Sequence, residues 1–431
     1  MTRLRPWDVR AAMACSLLLA VGAVAGEGPI PVEIRGGPGD FALYRGGEPY
    51  PIRGAGAETL GDLESLAHYG GNSVRTWRVG DGSVLDLAHE LGLSVALCIE
   101  IARERHGFDY DDAEAVARQF EQARETVLAY RDHPALLVWM IGNELNLEYQ
   151  NPRVYDAVND ISKMIHELDP HHPTTTTTAG MSAELAGVIR ERAPDLDFLS
   201  IQVYGDVFIL PEMLDALDPE LPLMVTEWGT IGHWEVSPTE WGAPIELDSS
   251  AKADTYRRAH DQMLAPLEGR LIGNYAFLWG QKQERTPTWY GVFTPNGERT
   301  EAVDVLNRAW TGQWPPNRAP RIGSMRLDRR GAGHSVRLRP SESYSAGVLV
   351  DDPDGDPLTF DWRIMAESTA TQTGGDIEAV PPELTGLIAE PDSGQISLRA
   401  PANPGAYRLF VYATDGQGAA AHANIPFYVD P

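Results

Sequence analysis

Cysteine is almost absent from this chain, with two residues in 431. Cys15 falls in an N-terminal apolar segment, so Cys98 stands alone in the rest and an internal disulfide is excluded there. Because Cys98 lies within the apolar run Leu93 to Ile99, it is expected to be a small core residue and not a reactive thiol. Positive charge is also scarce. Lys and Arg number 35 against 62 Asp and Glu, a formal net charge of −27, which argues against nucleic acid or anionic membrane as a partner. Such acidity suits a neutral or cationic substrate and also keeps an exported protein soluble. No zinc-ligand spacing and no phosphate-binding glycine loop occurs, so no catalytic metal is expected. The one long apolar run, Ala11 to Val24, follows Arg3, Arg5 and Arg10 and ends at the small residues Ala23-Val24-Ala25. Residues 1–26 therefore read as an export signal, with no membrane span expected in the mature chain and a periplasmic or extracellular location.

Strand and helix patterns alternate from about residue 50 to 310. Short β-type runs are expected at Tyr50 to Gly54, Asn72 to Trp77, Leu93 to Ile99, Leu136 to Ile141, Thr174 to Thr178, Leu196 to Tyr204, Leu221 to Thr226 and Leu271 to Leu278, with helical spacing of apolar residues between them. Eight such units imply parallel strands joined by right-handed crossovers and closed on themselves, an α/β fold of the (β/α)8 TIM-barrel type. Val32 to Arg45 reads as a hairpin plugging the bottom of that barrel. The texture changes at Trp314-Pro315-Pro316-Asn317-Arg318-Ala319-Pro320, a stiff linker. Beyond it the helical period is lost, and short alternating strands between Gly, Pro and Asp turns give the pattern of a small all-β immunoglobulin-like sandwich. The expected organisation is a signal at 1–26, a catalytic barrel with its hairpin at 27–312, a linker at 313–320 and a sandwich at 321–431. Asp351-Asp352-Pro353-Asp354-Gly355-Asp356 resembles the turn of cadherin-like and polycystic-kidney-disease-type modules and offers hard oxygens to a structural calcium ion, although a metal-free turn explains it equally well.

Two of the apolar runs stop abruptly at a glutamate, in Trp139-Met140-Ile141-Gly142-Asn143-Glu144 and in Met224-Val225-Thr226-Glu227. A carboxylate at the C-terminal tip of a barrel strand lies where such folds keep their chemistry, and two on different strands can face each other across the mouth. Cleavage of a glycosidic bond needs such a pair, one carboxylic acid to protonate the leaving oxygen and one carboxylate to attack or to activate water. Four further strand-end residues fit the same site. Asn143 can hydrogen-bond a sugar hydroxyl, Tyr204 and Arg75 can hold Glu227 ionised, and Trp279 offers a flat face for a pyranose ring. Trp234 and Trp289, with Trp241 and Tyr290, fall in the loops after strands seven and eight, as sugar platforms or as loop anchors. Glu100, His106 and Asp109 follow strand three and could line a subsite, while His171-His172 belongs to the bottom face, where a structural role is expected. The implied partner is an oligo- or polysaccharide.

This constellation resembles the retaining glycoside hydrolases of clan A. Within that clan Phe41 to Trp310 looks most like the barrel domain of glycoside hydrolase family 2, chiefly through Gly70-Gly71-Asn72-Ser73-Val74-Arg75-Thr76 and Asp132-His133-Pro134-Ala135-Leu136-Leu137-Val138-Trp139. The resemblance implies double displacement on β-glycosidic bonds, with Glu144 as acid/base and Glu227 as nucleophile. The jelly roll and immunoglobulin-like domain that usually precede such a barrel have no counterpart before residue 41, so the usual exo-acting galactosidase, glucuronidase and mannosidase specificities are not carried over. A β-glucan transglycosylase would use the same pair, and a non-catalytic carbohydrate-binding protein would need neither glutamate. All catalytic candidates precede the linker, so the barrel ending near Trp314 is expected to turn over small substrates without the sandwich.

Overall fold

A computed structural model describes residues 28–217, 221–389 and 392–431. The segment read as an export signal lies outside the described residues. The chain begins with a three-stranded antiparallel sheet, β1 (Val32–Arg35), β2 (Ala42–Arg45) and β3 (Glu48–Pro49). Eight parallel strands then close into a barrel: β4 (Gly54–Gly56), β5 (Ser73–Arg75), β6 (Ser94–Ile99), β7 (Leu136–Asn143), β8 (Thr174–Ala179), β9 (Leu199–Gln202), β10 (Leu223–Trp228) and β11 (Leu271–Ala276). Helices α1 (Leu60–His68), α2 (Ser83–Glu90), α3 (Ala113–Tyr130), α4 (Arg153–Leu168), α5 (Ala183–Arg192), α6 (Leu210–Asp215), α7 (Ser249–Arg258) and α8 (Glu301–Thr311) form the outer ring. All eight expected strands are present, most of them shifted or trimmed by a few residues. The largest shift is at the first, where Tyr50 to Gly54 was expected and the pairing runs through Gly54–Gly56. Proline at 51 supplies no N–H for a ladder, and the small residues 54–56 let the chain approach its neighbours. A Cβ at Gly54 would fall 2.5 Å from the Tyr275 ring.

The barrel interior is filled rather than hollow. Val32 and Leu43 of the N-terminal hairpin pack with Ala96, Cys98, Val138, Met140, Phe198, Met224 and Tyr275, closing the bottom. Cys98 is buried there, and burial pushes its thiol up to about 11, which makes it an inert core residue. The threonine run of β8 is satisfied strand by strand: Thr175 shares a hydrogen with Ser200 (2.9 Å), Thr176 donates to the Ile141 carbonyl (2.7 Å), and Thr177 reaches Asn143 Oδ1 (3.2 Å). His172 is buried against Asp169 at 2.8 Å, and the His171 carbonyl accepts from the Val32 amide, so this pair is structural, as expected of the bottom face.

Beyond residue 320 two four-stranded sheets face each other. One is ordered β12 (Arg321–Leu327), β14 (Ser343–Asp351), β17 (Gln395–Arg399), β16 (Ile388–Ala389); the other β13 (Val336–Leu338), β19 (Ala420–Val429), β18 (Gly405–Thr414), β15 (Thr359–Ala366). Their inner faces bury a separate core around Trp362, Leu409 and Phe427. This sandwich is docked on the barrel by buried polar contacts. Glu246, from the loop before α7, accepts from Lys252 Nζ, Thr286 Oγ1 (2.7 Å), Thr288 Oγ1 (2.9 Å) and Asn424 Nδ2 of β19 (2.6 Å). Arg408 of β18 donates to Asn424 Oδ1 (2.7 Å) and to the barrel carbonyl of Pro244 (2.9 Å). Main-chain bonds from Arg299 to Gly418 (3.1 Å) and from Ala420 to Arg299 (2.9 Å) extend the junction.

Burial alone would push the Glu246 carboxyl up, but the Lys252, His422 and Arg408 charges together outweigh it and hold it at about 2. A carboxyl held below its unfolded value stabilises the fold above pH 4.5 and loses that contribution as pH falls toward 2. Glu246→Ala leaves Lys252 buried without its counter-charge and is expected to cost about 3–5 kcal/mol. In thermal unfolding the variant should melt well below wild type at pH 7, and the gap should narrow as pH is lowered through 4. An unchanged melting temperature at pH 7 would show that the junction carries no stability.

Candidate active site

Glu227, near the C-terminal end of β10, is buried at the centre of the barrel mouth. Its Oε1 accepts from Arg75 Nη1 (2.6 Å), Trp77 Nε1 (2.7 Å) and Gln202 Nε2 (2.9 Å), and its Oε2 accepts from the Tyr204 hydroxyl (2.7 Å). With four donors on two oxygens, Glu227 serves only as an acceptor, and one donor carries a full charge. Burial, then the Glu227 charge, raises Tyr204 well above the ordinary phenol range, so it keeps the proton it donates. Arg75 is wholly buried at the end of β5, and its second nitrogen donates to Asn143 Oδ1. Gln202 Nε2 also donates to that oxygen (2.7 Å), so the Asn143 amide oxygen is saturated and its NH2 is the group left for the pocket that Asn143 lines.

Glu144 follows directly on β7. Its φ of 51° is in the left-handed region that favours glycine, and Gly142 just before it has φ 76°. This turn at the strand tip holds the Glu144 carboxyl in the same pocket as Glu227, while its amide donates to the Thr177 carbonyl (3.0 Å). Burial first, and the Glu227 charge second, raise Glu144 to about 7 against the opposing charges of Arg105, Arg103 and Arg75. Two carboxyls with unlike environments, one that holds its proton up to near neutral pH and one clamped by donors, are an arrangement suited to acid–base chemistry.

Of the residues expected here from sequence, Glu144, Glu227, Arg75, Asn143 and Tyr204 come together. Trp234 does too: it lines the pocket, is 59% exposed and stands edge-on to Tyr204 at 5.5 Å. Trp279 does not. β11 ends at Ala276, and the chain then turns so that the Trp279 ring is wholly buried between the barrel and α1 and α8, donating to Ser65 Oγ (2.7 Å) and packing on Tyr69 and Trp310. Phe277, two residues earlier, lines the mouth instead. Trp289 is likewise an anchor, buried with its Nε1 donating to the Ile231 carbonyl (3.0 Å). Trp241 packs against Tyr428 of the sandwich, and Tyr290 accepts from the His233 amide behind Tyr204. Glu100 and His106 line a neighbouring cavity, whereas Asp109 caps a turn.

Sequence reading missed Trp77 and Gln202, which complete the clamp on Glu227, and Arg103, whose Nε donates to the Asn143 carbonyl (3.1 Å). The signal was spacing: Trp77 is two residues past Arg75, the last of β5, and Tyr204 two past Gln202, the last of β9, an interval that in extended chain keeps side chains on one side. It also missed the sandwich. Gly374, Gly375, Asp376 and Ile377 line the pocket that holds Glu144 and Glu227, beside the barrel residues. Elsewhere, Asp352 and Asp356 of the acidic turn come together with Asp415, a carboxylate oxygen of each lying within 4.8 Å of the others.

The assignment of Glu144 is open to titration. With carbon-13 in its glutamate carboxyls the protein should show two groups titrating near pH 7, Glu144 and Glu301 of α8, and Glu227→Gln, which removes the second cause of the Glu144 shift, should lower that one alone. A Glu144 titrating in the ordinary range of 4 to 5 in the wild type would contradict the geometry.

Residues 56–229 match the family model described as glycosyl hydrolases family 2, TIM barrel domain. Over 95 residues the chain is 27% identical to the putative mannan endo-1,4-beta-mannosidase 4 of Arabidopsis thaliana, which is 22% of either protein. Among solved structures it is similar to the beta-glucuronidase of Bacteroides uniformis, with a TM-score of 0.52 and 14% identity over 93% of this chain and 48% of that one. It is also similar to the glycoside hydrolase family 5 mannosidase of Rhizomucor miehei, with a TM-score of 0.50 and 13% identity over 65% of this chain and 96% of that one. The chain thus spans about half the length of the glucuronidase, and at such identities these structures share its fold alone. By its closed barrel, its strand-end residues and the family model over residues 56–229, the barrel resembles the TIM-barrel domain of the family 2 glycosyl hydrolases.

Proposed function

We propose that the protein is a β-glycosidase working by double displacement, with Glu227 as nucleophile and Glu144 as acid/base. The observation that carries this reading is the contrast between the two carboxyls in one pocket: Glu227 accepts four hydrogen bonds, while Glu144 is raised to about 7 and can still give up a proton. In the first step a Glu227 oxygen attacks the anomeric carbon, the glycosidic bond breaks, and the Glu144 proton goes to the departing oxygen. In the second, Glu144 takes a proton from water, the water oxygen bonds to the anomeric carbon, and Glu227 leaves as a carboxylate. The Asn143 NH2 is placed to hydrogen-bond a hydroxyl beside the reacting carbon. The Tyr204 hydroxyl and Arg75 keep the nucleophile in one orientation, the positioning that such a displacement needs.

Glu144→Gln and Glu227→Gln should each remove nearly all turnover of an unactivated β-glycoside, since general acid catalysis alone contributes roughly 10²–10⁴-fold. Either variant keeping more than about a tenth of the wild-type rate would sink the assignment. Proton NMR of the first-formed product should show retained anomeric configuration, which goes with carboxyls roughly 5–5.5 Å apart. An inverted first product would exclude the glycosyl-enzyme and leave one glutamate as a base acting through water.

A further inference from the structure

A loop of the sandwich between β15 and β16 crosses the mouth of the barrel. On one side Arg285 of the barrel donates to the Ala370 carbonyl, its amide donates to Glu378 (2.8 Å), and Lys282 Nζ donates to the Gly375 carbonyl (2.9 Å). On the other side Asp376 meets His106 (2.9 Å) and Arg105 (3.4 Å), and Thr373 donates to Glu148 (3.3 Å). The strap is held close to the barrel. Gly374 and Gly375 have φ of 61° and 71°, and a Cβ on them would lie 2.6 Å from Arg105 Nη2 and 2.7 Å from Lys282 Nζ.

These anchors take up the carbonyls and carboxylates of the strap and leave Ile377 outside, 90% exposed. A single exposed apolar residue is ordinary. Here it converges with a second, Leu60 at 44%, on a cleft of about 610 Å³ that also presents Arg78, Asp81, Gln281 and Gln283. Glu58, Trp77 and Arg78 border both this cleft and the catalytic pocket, so the two are contiguous. The catalytic pocket itself holds only about 240 Å³, below the usual size of a ligand site, so a longer substrate must continue elsewhere. Apolar side chains for the C–H faces of pyranose rings, beside amide, carboxylate and guanidinium groups for their hydroxyls, suit a sugar chain.

We infer that this cleft is an oligosaccharide subsite and that the sandwich, through Gly375 and Ile377 of the strap, supplies part of its wall. The inference rests on the glycosidase reading and deepens it: the substrate is a chain of β-linked sugars, bound across the catalytic pocket and the adjoining cleft. Ile377 is a specificity-determining residue in this scheme and takes no part in bond breaking.

The test uses the full chain carrying Glu227→Gln, which binds without turnover, and calorimetric titration with cellohexaose, mannohexaose and laminarihexaose. At least one should bind, and adding Ile377→Ser should weaken that hexaose about tenfold, the scale of a lost apolar contact in a substrate pocket. Because Ile377 is exposed, this substitution leaves folding intact, and Leu60→Ser should act in the same direction. Hexaose binding that is equal with and without Ile377→Ser, or absent for all three sugars, overturns the inference. Turnover of aryl β-glycosides by the wild type is measured separately and tests the glycosidase reading alone. Turnover without an Ile377 effect defeats only the subsite, and an Ile377-dependent hexaose affinity without turnover defeats only the assigned chemistry.

Discussion

The clamp on Glu227 is the interaction on which the rest of the site depends. A buried carboxylate is tolerable only when its charge is met by donors, and here the donors come from two strand ends, Arg75 and Trp77 at the end of β5 and Gln202 and Tyr204 at the end of β9, around Glu227 on a third strand, β10. Those strands can supply them together only because the barrel is closed. The same clamp orients its neighbour, since Arg75 and Gln202 both donate to Asn143 as well. It also sets the electrostatics of Glu144, which lies in the same pocket and is raised by burial and by the charge the clamp maintains. Burial and one charge held by four hydrogen bonds thus together favour the protonated form of the second carboxyl.

The second constraint is the docking of the sandwich. Glu246 and Lys252 are buried where the two domains meet, and Asn424 and Arg408 of the sandwich complete their hydrogen bonding. Burial pushes His422 down to about 3, so it is neutral near pH 7 and the compensating charges are those of Lys252 and Arg408. A junction of this kind fixes orientation, because a half-satisfied buried network costs more than none. The fixed orientation places the strap over the mouth. A domain that reads in sequence as an appendage is in this fold a wall of the pocket that holds Glu144 and Glu227.

Much of this was legible in the chain. Short apolar runs alternating with helical spacing marked all eight barrel strands, and the runs ending in glutamate singled out Glu144 and Glu227 because further strand ends carry residues that fit the same site, where one glutamate after a strand would ordinarily be a loop or helix-N-terminal charge. Arg75, Asn143 and Tyr204 followed from the same logic. Trp279 and Trp289 misled it. An aromatic near a strand end serves equally well as a sugar platform or as packing, and the direction of the ring depends on where the strand stops pairing. For the eighth strand that point was Ala276, not Leu278, which sent Trp279 into the core beneath α1 and brought Phe277 to the mouth.

What the sequence determined by itself was the barrel, the sandwich and the pair of carboxylates, because burial periodicity and strand-end charge are local signals that survive without knowledge of partners. Tertiary structure decided which residues surround that pair. Trp77 and Gln202 acquire meaning only when β5, β9 and β10 converge on one carboxylate. Asp376 and Ile377 reach the mouth only because a buried polar junction far along the chain sets the sandwich against the barrel. Contacts between residues so distant in sequence leave no periodic trace, since neither partner's neighbours in the chain record where the other will be.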